Sequence, residues 1–356
     1  MEYRLLGRSG LKVSTLILGS ANFGSVGEFF NKAGKVDVAG ARRQIDLYRD
    51  AGGNMLDTSN AYSAGVSEEV VGEALDGARK DLLVATKVRF PMGKGPNDRG
   101  LSRHHIIKSC EESLKRLRRE TIDLYQMHQW DGETPLEETI DALDALQRAG
   151  KVRYIGVSNW SGWHIMKALA VSDARHQARF VGQQIYYSLQ ARDAEFELVP
   201  ISVDQGLGIL IWSPLAGGLL SGKYRRGKPM PEGRHLNGWG EPPINNETQL
   251  YDIIEVLVEI AEAKKQSASA VALAWSLGRP GVTAAVIGAR NEEQLKANLP
   301  AADLKLTDEE RKKLDDVSKP TLLYPYWHQA NTAADRLSAA DLALLKPYLT
   351  GGSRMG

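Results

Sequence analysis

Eight short apolar runs alternate along this chain with amphipathic helical stretches, and that alternation restricts the available folds more than any other feature. The runs are residues 16–19, 54–57, 82–86, 122–126, 154–157, 181–184, 209–212 and 284–287. Apolar runs this short, bounded by turn signals, read as buried strands. The clearest helical signals lie between them. Residues 38–51 stop on Gly52-Gly53, a C-terminal punctuation. Residues 67–78 open on a serine, with Glu68 and Glu69 where a helix dipole favours negative charge. Residues 102–119 start on serine and end basic, and residues 135–149 have proline first and Gly150 after. Residues 250–265 and 268–278 flank Ser267. Strands that each lead into a helix, with no block of strands alone, predict an α/β chain closed as a (β/α)8 barrel. An open doubly wound sheet would need an early phosphate loop, and the chain has none.

The rest of the chain decorates this barrel. Residues 3–6 and 11–13 flank Gly7-Arg8-Ser9-Gly10 and predict an N-terminal hairpin over 1–13. No Gly/Pro/Ser-rich linker divides the barrel, so residues 1–356 are expected to form one domain. A glycine- and proline-rich segment over 213–247 is abnormally long for a loop, which marks either a functional lid or cofactor loop or a disordered segment. Residues 319–356 form a C-terminal extension with an amphipathic helical pattern over 333–345.

Charge and cysteine use narrow the function. Lys and Arg total 45 against 44 Asp and Glu, without a long basic block, so nucleic acid is not the expected partner. The most apolar stretch, 206–220, is too short and broken to span a bilayer. The N-terminus has no apolar leader core. Cys110 is the single cysteine, which excludes an internal disulfide and fits a reducing cytoplasm. His104-His105 lack an obvious third ligand, so no metal is expected.

Four residues fall at or just past predicted strand ends: Asp57, Tyr62, Lys87 and His128. A barrel brings those ends to one face. Singly, Asp57 could cap a turn, Tyr62 could be packed, and His128 could be a satisfied core histidine. A lysine closing an apolar strand is harder to explain as surface. Together they make a proton donor. An ammonium beside a phenol favours the phenolate and is expected to lower its pKa. A carboxylate keeps the ammonium charged, and an imidazole can orient a substrate oxygen.

These segments also resemble the aldo-keto reductase family. The matching stretches are LDTSNAYSAGVSEEVVGEAL around Asp57 and Tyr62, TKV at Lys87, IDLYQMHQWD at His128 and GKVRYIGVSN ending at Ser158 and Asn159. QQIYY from Gln183, WSPLAGGLLSGKY from Trp212 and VIGARNEEQLKAN from Val286 follow in family order. The resemblance implies a TIM barrel, with Asp57, Tyr62, Lys87 and His128 as the catalytic tetrad and tyrosine as acid. It implies NADP(H), with NAD(H) second. Ser158, Asn159 and Gln184 would hold the nicotinamide amide and Trp212 would stack on its ring. Gly19, Ser20 and Ala21 would adjoin the cofactor beside Asp57. Ser213, Pro214, Leu215, Gly217, Leu219, Gly222 and Lys223 would embrace the pyrophosphate. Ile287, Gly288, Arg290, Gln294 and Asn298 would hold the adenosine and its 2′-phosphate. The near capping box from Asn291 to Gln294 starts a helix beside that phosphate. Glu292 and Glu293 would oppose a phosphate if they faced it.

The expected substrate is a small carbonyl or alcohol such as a sugar, terpenoid or polycyclic compound. Its walls would be Phe23, Phe29, Phe30, Trp130, Trp160, Tyr326 and Trp327. Two other readings stay open. One is an NADPH-binding regulatory subunit of a channel-like partner; the other is a barrel enzyme gripping a phosphorylated substrate at strands seven and eight. A homo-oligomer is also compatible with the sequence.

Overall fold

Strands buried on both faces lose the inside/outside contrast of an exposed sheet, which is why they appear in this chain as continuous apolar runs. The computed structural model describes residues 1–24, 26, 35–229, 231 and 240–349. An antiparallel hairpin, β1 (Tyr3–Leu5) and β2 (Lys12–Ser14), comes first. Eight parallel strands follow: β3 (Leu16–Gly19), β4 (Met55–Asp57), β5 (Leu83–Val88), β6 (Ile122–Met127), β7 (Val152–Ser158), β8 (Gly182–Tyr186), β9 (Gly208–Trp212) and β10 (Val282–Ile287). They close in sequence order, and β10 pairs back onto β3. The fold is therefore a (β/α)8 TIM barrel with an N-terminal hairpin.

The barrel interior explains where the chemistry sits. Ile17, Met55, Ala85, Leu124 and Leu210 point inward as one apolar cluster, joined by Leu6 and Val13 of the hairpin. The hairpin thus plugs the N-terminal end. Because strand side chains alternate faces, the next inward positions are Gly19, Asp57, Lys87, Gln126 and Trp212. Pairing of Gly19 with Asp57, and of Lys87 with Gln126, sets these positions at neighbouring heights. An apolar floor therefore lies directly beneath a polar layer at the C-terminal mouth.

Around the barrel run α1 (Val38–Asp50), α2 (Val66–Ala74), α3 (Arg103–Leu117), α4 (Leu136–Arg148), α5 (Gly162–Arg175), α6 (Leu198–Gln205), α7 (Glu247–Lys264) and α8 (Ala268–Leu277). Beyond β10 come α9 (Glu292–Asn298), α10 (Asp308–Val317), α11 (Tyr326–Thr332) and α12 (Ala339–Leu345). None of the described helices is long and apolar enough to cross a membrane.

Three helix boundaries differ from expectation by three residues or more. The helix expected over 67–78 ends at Ala74, and Gly77 (φ +51°) opens a separate 3-10 turn through Asp81. The helix after the long loop begins three residues early because Asn246 accepts the Gln249 amide and caps it. Of the helix expected over 333–345 only the second half forms, as α12, while α11 ends at Thr332, before that stretch begins. Ser338 and Asp341 form a reciprocal capping box that starts α12 afresh, leaving residues 333–337 outside either helix.

Candidate active site

A cleft of about 800 Å³ opens at the C-terminal ends of the strands, within the range of small-molecule sites. At its floor Lys87 is fully buried, and its ammonium uses all three donors. Nζ donates to Asp57 Oδ2 at 2.6 Å, to the Thr58 carbonyl at 2.8 Å and to Tyr62 Oη at 3.3 Å. The other Asp57 oxygen accepts from Gln184 Nε2 at 2.8 Å and Gln126 Nε2 at 3.3 Å. The carboxylate is thus held in place from three strands. Tyr62 stands on the loop after β4, its ring edge-on to His128 with centroids 5.9 Å apart. Asp57, Tyr62 and His128 line the cleft, with Lys87 beneath them.

The charges follow from burial. Burial is the largest influence on Lys87 and opposes its charge, but Asp57 and Tyr62 together hold the ammonium above the ordinary lysine value. Burial pushes the Tyr62 phenol above its usual value of 10.0; Lys87 pulls it down, and Asp57 pushes it up. This corrects the expectation from sequence that the ammonium would prevail. A carboxylate at 2.6 Å neutralises much of that ammonium's field at the phenol. The phenol therefore keeps its proton at neutral pH. Burial, assisted by Lys87, pushes His128 well below the ordinary histidine value, so the ring is neutral.

The cofactor residues expected from sequence mostly gather in the same cleft. Gly19, Ser20 and Ala21 line it after β3, and Ser158, Asn159 and Gln184 after β7 and β8. Trp212, Ser213, Pro214, Leu215, Gly217 and Lys223 line it after β9. Ile287, Gly288, Arg290, Gln294 and Asn298 complete the far wall. Asn159 adopts φ +57°, donates to the His128 carbonyl at 3.1 Å and accepts from Trp212 Nε1 at 2.9 Å. The indole is thereby oriented, with Tyr186 beside it at 4.9 Å. Leu219 and Gly222 are not in the cleft lining. Leu219 is buried in the core, and a Cβ at Gly222 would meet Ala268 at 2.8 Å.

The proposed substrate walls fare differently. Phe23 is fully buried in the core, where a bridge between Phe23 and Val36 fixes it. Trp160 is also buried, edge-on to Trp130 at 4.8 Å, and neither lines the cleft. Tyr326 packs on Phe196, and Trp327 lies half-exposed near Tyr324, both outside the cleft. Phe29 and Phe30 lie outside the described residues. The sequence reading missed Phe90, which lines the cleft edge-on to His128 at 4.8 Å. It sits just past a strand end, the same signal that identified His128. Glu68 stands in the first turn of α2, as its sequence position predicted, and has a further role. It is buried, accepting from Thr86 Oγ1 at 2.5 Å and Arg116 Nε at 2.7 Å, and so anchors the strand that carries Lys87.

A family model described as the Aldo/keto reductase family matches residues 15–319. The chain belongs to the aldo/keto reductase family. It is 40% identical over 328 residues to an uncharacterized oxidoreductase, YrpG, of Bacillus subtilis, covering 89% of this chain and 96% of that protein. It is 35% identical over 311 residues to a probable voltage-gated potassium channel subunit beta of Arabidopsis thaliana, covering 85% and 92%. It is 31% identical over 350 residues to versiconal hemiacetal acetate reductase of Aspergillus parasiticus, covering 91% and 99%. Family membership and these relatives support an oxidoreductase. They also place the aldo/keto reductase match across the barrel that carries the Lys87 site.

Proposed function

We propose that this chain is an NADP(H)-dependent oxidoreductase that interconverts an aldehyde or ketone with its alcohol, using Tyr62 as the acid/base. The observation that carries this reading is Lys87, seated between Asp57 and Tyr62 at the floor of the cleft. Bound, the dinucleotide would supply or take the hydride. The protein's part is to hold a carbonyl oxygen near Tyr62 and His128 and to deliver the phenolic proton as that oxygen gains charge. Lys87 would then stabilise the phenolate left behind.

The cleft residues suit a phosphorylated dinucleotide. Gly218 and Gly288 line it, and a Cβ at either would meet no protein atom within 4 Å, so both leave room for a ligand. Arg290 and Lys223 supply positive charge at one end. Glu292, which could have repelled a phosphate, is turned onto Arg43, with Nε to Oε1 at 2.7 Å. A charged hydrogen bond to a 2′-phosphate is worth about 1.5–3 kcal/mol. Arg290→Ala should therefore weaken NADPH binding by roughly 10- to 100-fold and leave NADH binding nearly unchanged. Titration of both nucleotides by tryptophan fluorescence measures this, and equal losses for the two would refute the phosphate role.

The substrate is proposed as a carbonyl compound that reaches Tyr62 and His128 past Phe90. Among the described residues lining the cleft, the aromatic side chains are Tyr62, Phe90, His128 and Trp212, a thinner aromatic wall than the sequence suggested. A sugar, a terpenoid and a polycyclic ketone all remain in the test set. The experiment is NADPH oxidation, followed by loss of its absorbance, with a panel of such carbonyls. Turnover supports the oxidoreductase reading. The channel-subunit relative motivates a second reading, an NADPH-binding regulatory subunit. Tight nucleotide binding, with Trp212 fluorescence quenched but no turnover of any carbonyl, would favour it.

A further inference from the structure

We propose that the Ser59 hydroxyl fixes His128 in the tautomer that carries its proton on Nε2, so that the neutral imidazole meets the substrate oxygen as a donor. This rests on the reductase reading and adds a positioning residue to it. Ser59 is fully buried two residues beyond Asp57, and its Oγ lies 3.1 Å from His128 Nδ1. The same Oγ accepts the Ala61 backbone N–H at 3.2 Å. Hydrogen-bond accounting then decides the direction of the Ser59–His128 contact. A hydroxyl has one proton and two lone pairs, and a neutral imidazole has one donor and one acceptor nitrogen. If Nδ1 carried the proton, Oγ would accept twice and its own proton would be stranded, since among the described residues the only acceptor recorded for it is Nδ1. Stranding a buried hydroxyl proton is unfavourable. If Ser59 donates to Nδ1, every group in the contact is satisfied and the ring proton must sit on Nε2.

The surroundings keep the ring in that position. The His128 backbone N–H donates to the Val88 carbonyl at 2.9 Å, and its carbonyl accepts from Asn159 Nδ2 at 3.1 Å. Phe90 and Tyr62 meet the ring edge-on. Burial and the Lys87 charge keep the ring neutral, so it has one proton to place. Lys87 has no donor left for substrate, because its three are committed to Asp57, Thr58 and Tyr62. The oxygen that gains charge would therefore meet two donors from this chain, the Tyr62 hydroxyl and His128 Nε2–H.

Long-range proton–nitrogen NMR of the full-length protein labelled with 15N-histidine reads the tautomer directly. The His128 signals are assigned by their loss in His128→Gln. Wild type should show the Nε2–H form, Ser59→Ala should shift toward Nδ1–H, and Ser59→Thr should restore Nε2–H. In steady-state assays Ser59→Ala should lower kcat at least about tenfold, with KM for NADPH unchanged and recovery in Ser59→Thr. A wild-type Nδ1–H signal, or a Ser59→Ala spectrum and kcat like wild type, would overturn the proposal. If Ser59→Ala fails to fold, Ser59→Cys, whose thiol is a weak donor of similar size, takes its place and should shift toward Nδ1–H, and a spectrum like wild type would overturn the proposal. A correct tautomer pattern in a protein that turns over no carbonyl would sink the reductase reading and leave the tautomer assignment standing.

Discussion

Tyr62→Phe is expected to abolish carbonyl reduction, a loss of about 10²–10⁴ in kcat, while nucleotide affinity stays close to wild type. Phenylalanine keeps the ring, and with it the edge contact to His128 and the face turned to the Lys87 ammonium, 5.0 Å from the ring centroid. What disappears is Oη and the proton it gives. The pH profile should separate this from a packing defect. Burial holds the Tyr62 phenol above 10.0 despite the pull of Lys87. Reduction needs the protonated phenol, so wild-type kcat should be flat through neutral pH and fall only on the alkaline side, above the ordinary phenol value. The residual rate of Tyr62→Phe should lack that alkaline limb. Stopped-flow or steady-state rates across pH, with nucleotide binding followed by fluorescence, make the measurement. Wild-type-like turnover in the variant would exclude Tyr62 as the acid.

The barrel was legible because its evidence is local. Each barrel strand is a run of three to seven residues between punctuated segments, and the catalytic candidates are polar residues at or just past the ends of those runs. Lys87 was conspicuous because an inward lysine after Leu83-Val84-Ala85 has no solvent to reach. Four helices were not picked out, α5, α6, α10 and α11; α10 carries a capping box from Thr307 to Glu310 that could have revealed it, whereas α5 and α6 announce themselves weakly. In α5, Trp163 and Met166 are exposed where an amphipathic pattern would place polar groups. Helix α6 is eight residues long and contains Pro200.

The errors in the site have a common cause. Phe23, Trp160 and Tyr326 were chosen as aromatics near expected loops, but tertiary partners decide whether such a ring faces a cleft or the core. Phe23 is committed by Val36 and Trp160 by Phe180, and neither pairing leaves a sequence signal. The direction of the Tyr62 shift was misjudged for the same reason. Proximity of Lys87 to Tyr62 and to Asp57 could be anticipated from strand ends, but the depth of burial, the largest influence on the phenol, could not.

Lys87→Met is expected to be the most destabilising change in the cleft as well as an inactive one. The side chains of Lys87 and Asp57 are 0% and 3% exposed. Methionine fills similar volume, so the cost is electrical and not a cavity. Asp57 would be left as a buried carboxylate with only the Gln184 and Gln126 amides to solvate it, and the Thr58 carbonyl would lose its donor. Breaking a buried pair from one side costs about 3–5 kcal/mol, a large share of a typical 5–15 kcal/mol stability. Urea unfolding should show this loss, and the double variant Asp57→Asn/Lys87→Met should recover part of it because no unpaired charge remains. Turnover should be absent in both, since neither offers a cation to Tyr62. The sign with pH is also set. The folded pKa of Lys87 is raised, so its stabilisation is complete below the unfolded lysine value of about 10.4 and disappears as pH climbs through the higher folded value. The gap between wild type and Lys87→Met should therefore narrow in strong alkali, where Lys87 loses its charge. A variant as stable as wild type would mean that Asp57 and Lys87 are not a desolvated pair, and a variant that still reduces carbonyls would remove the ammonium from the mechanism.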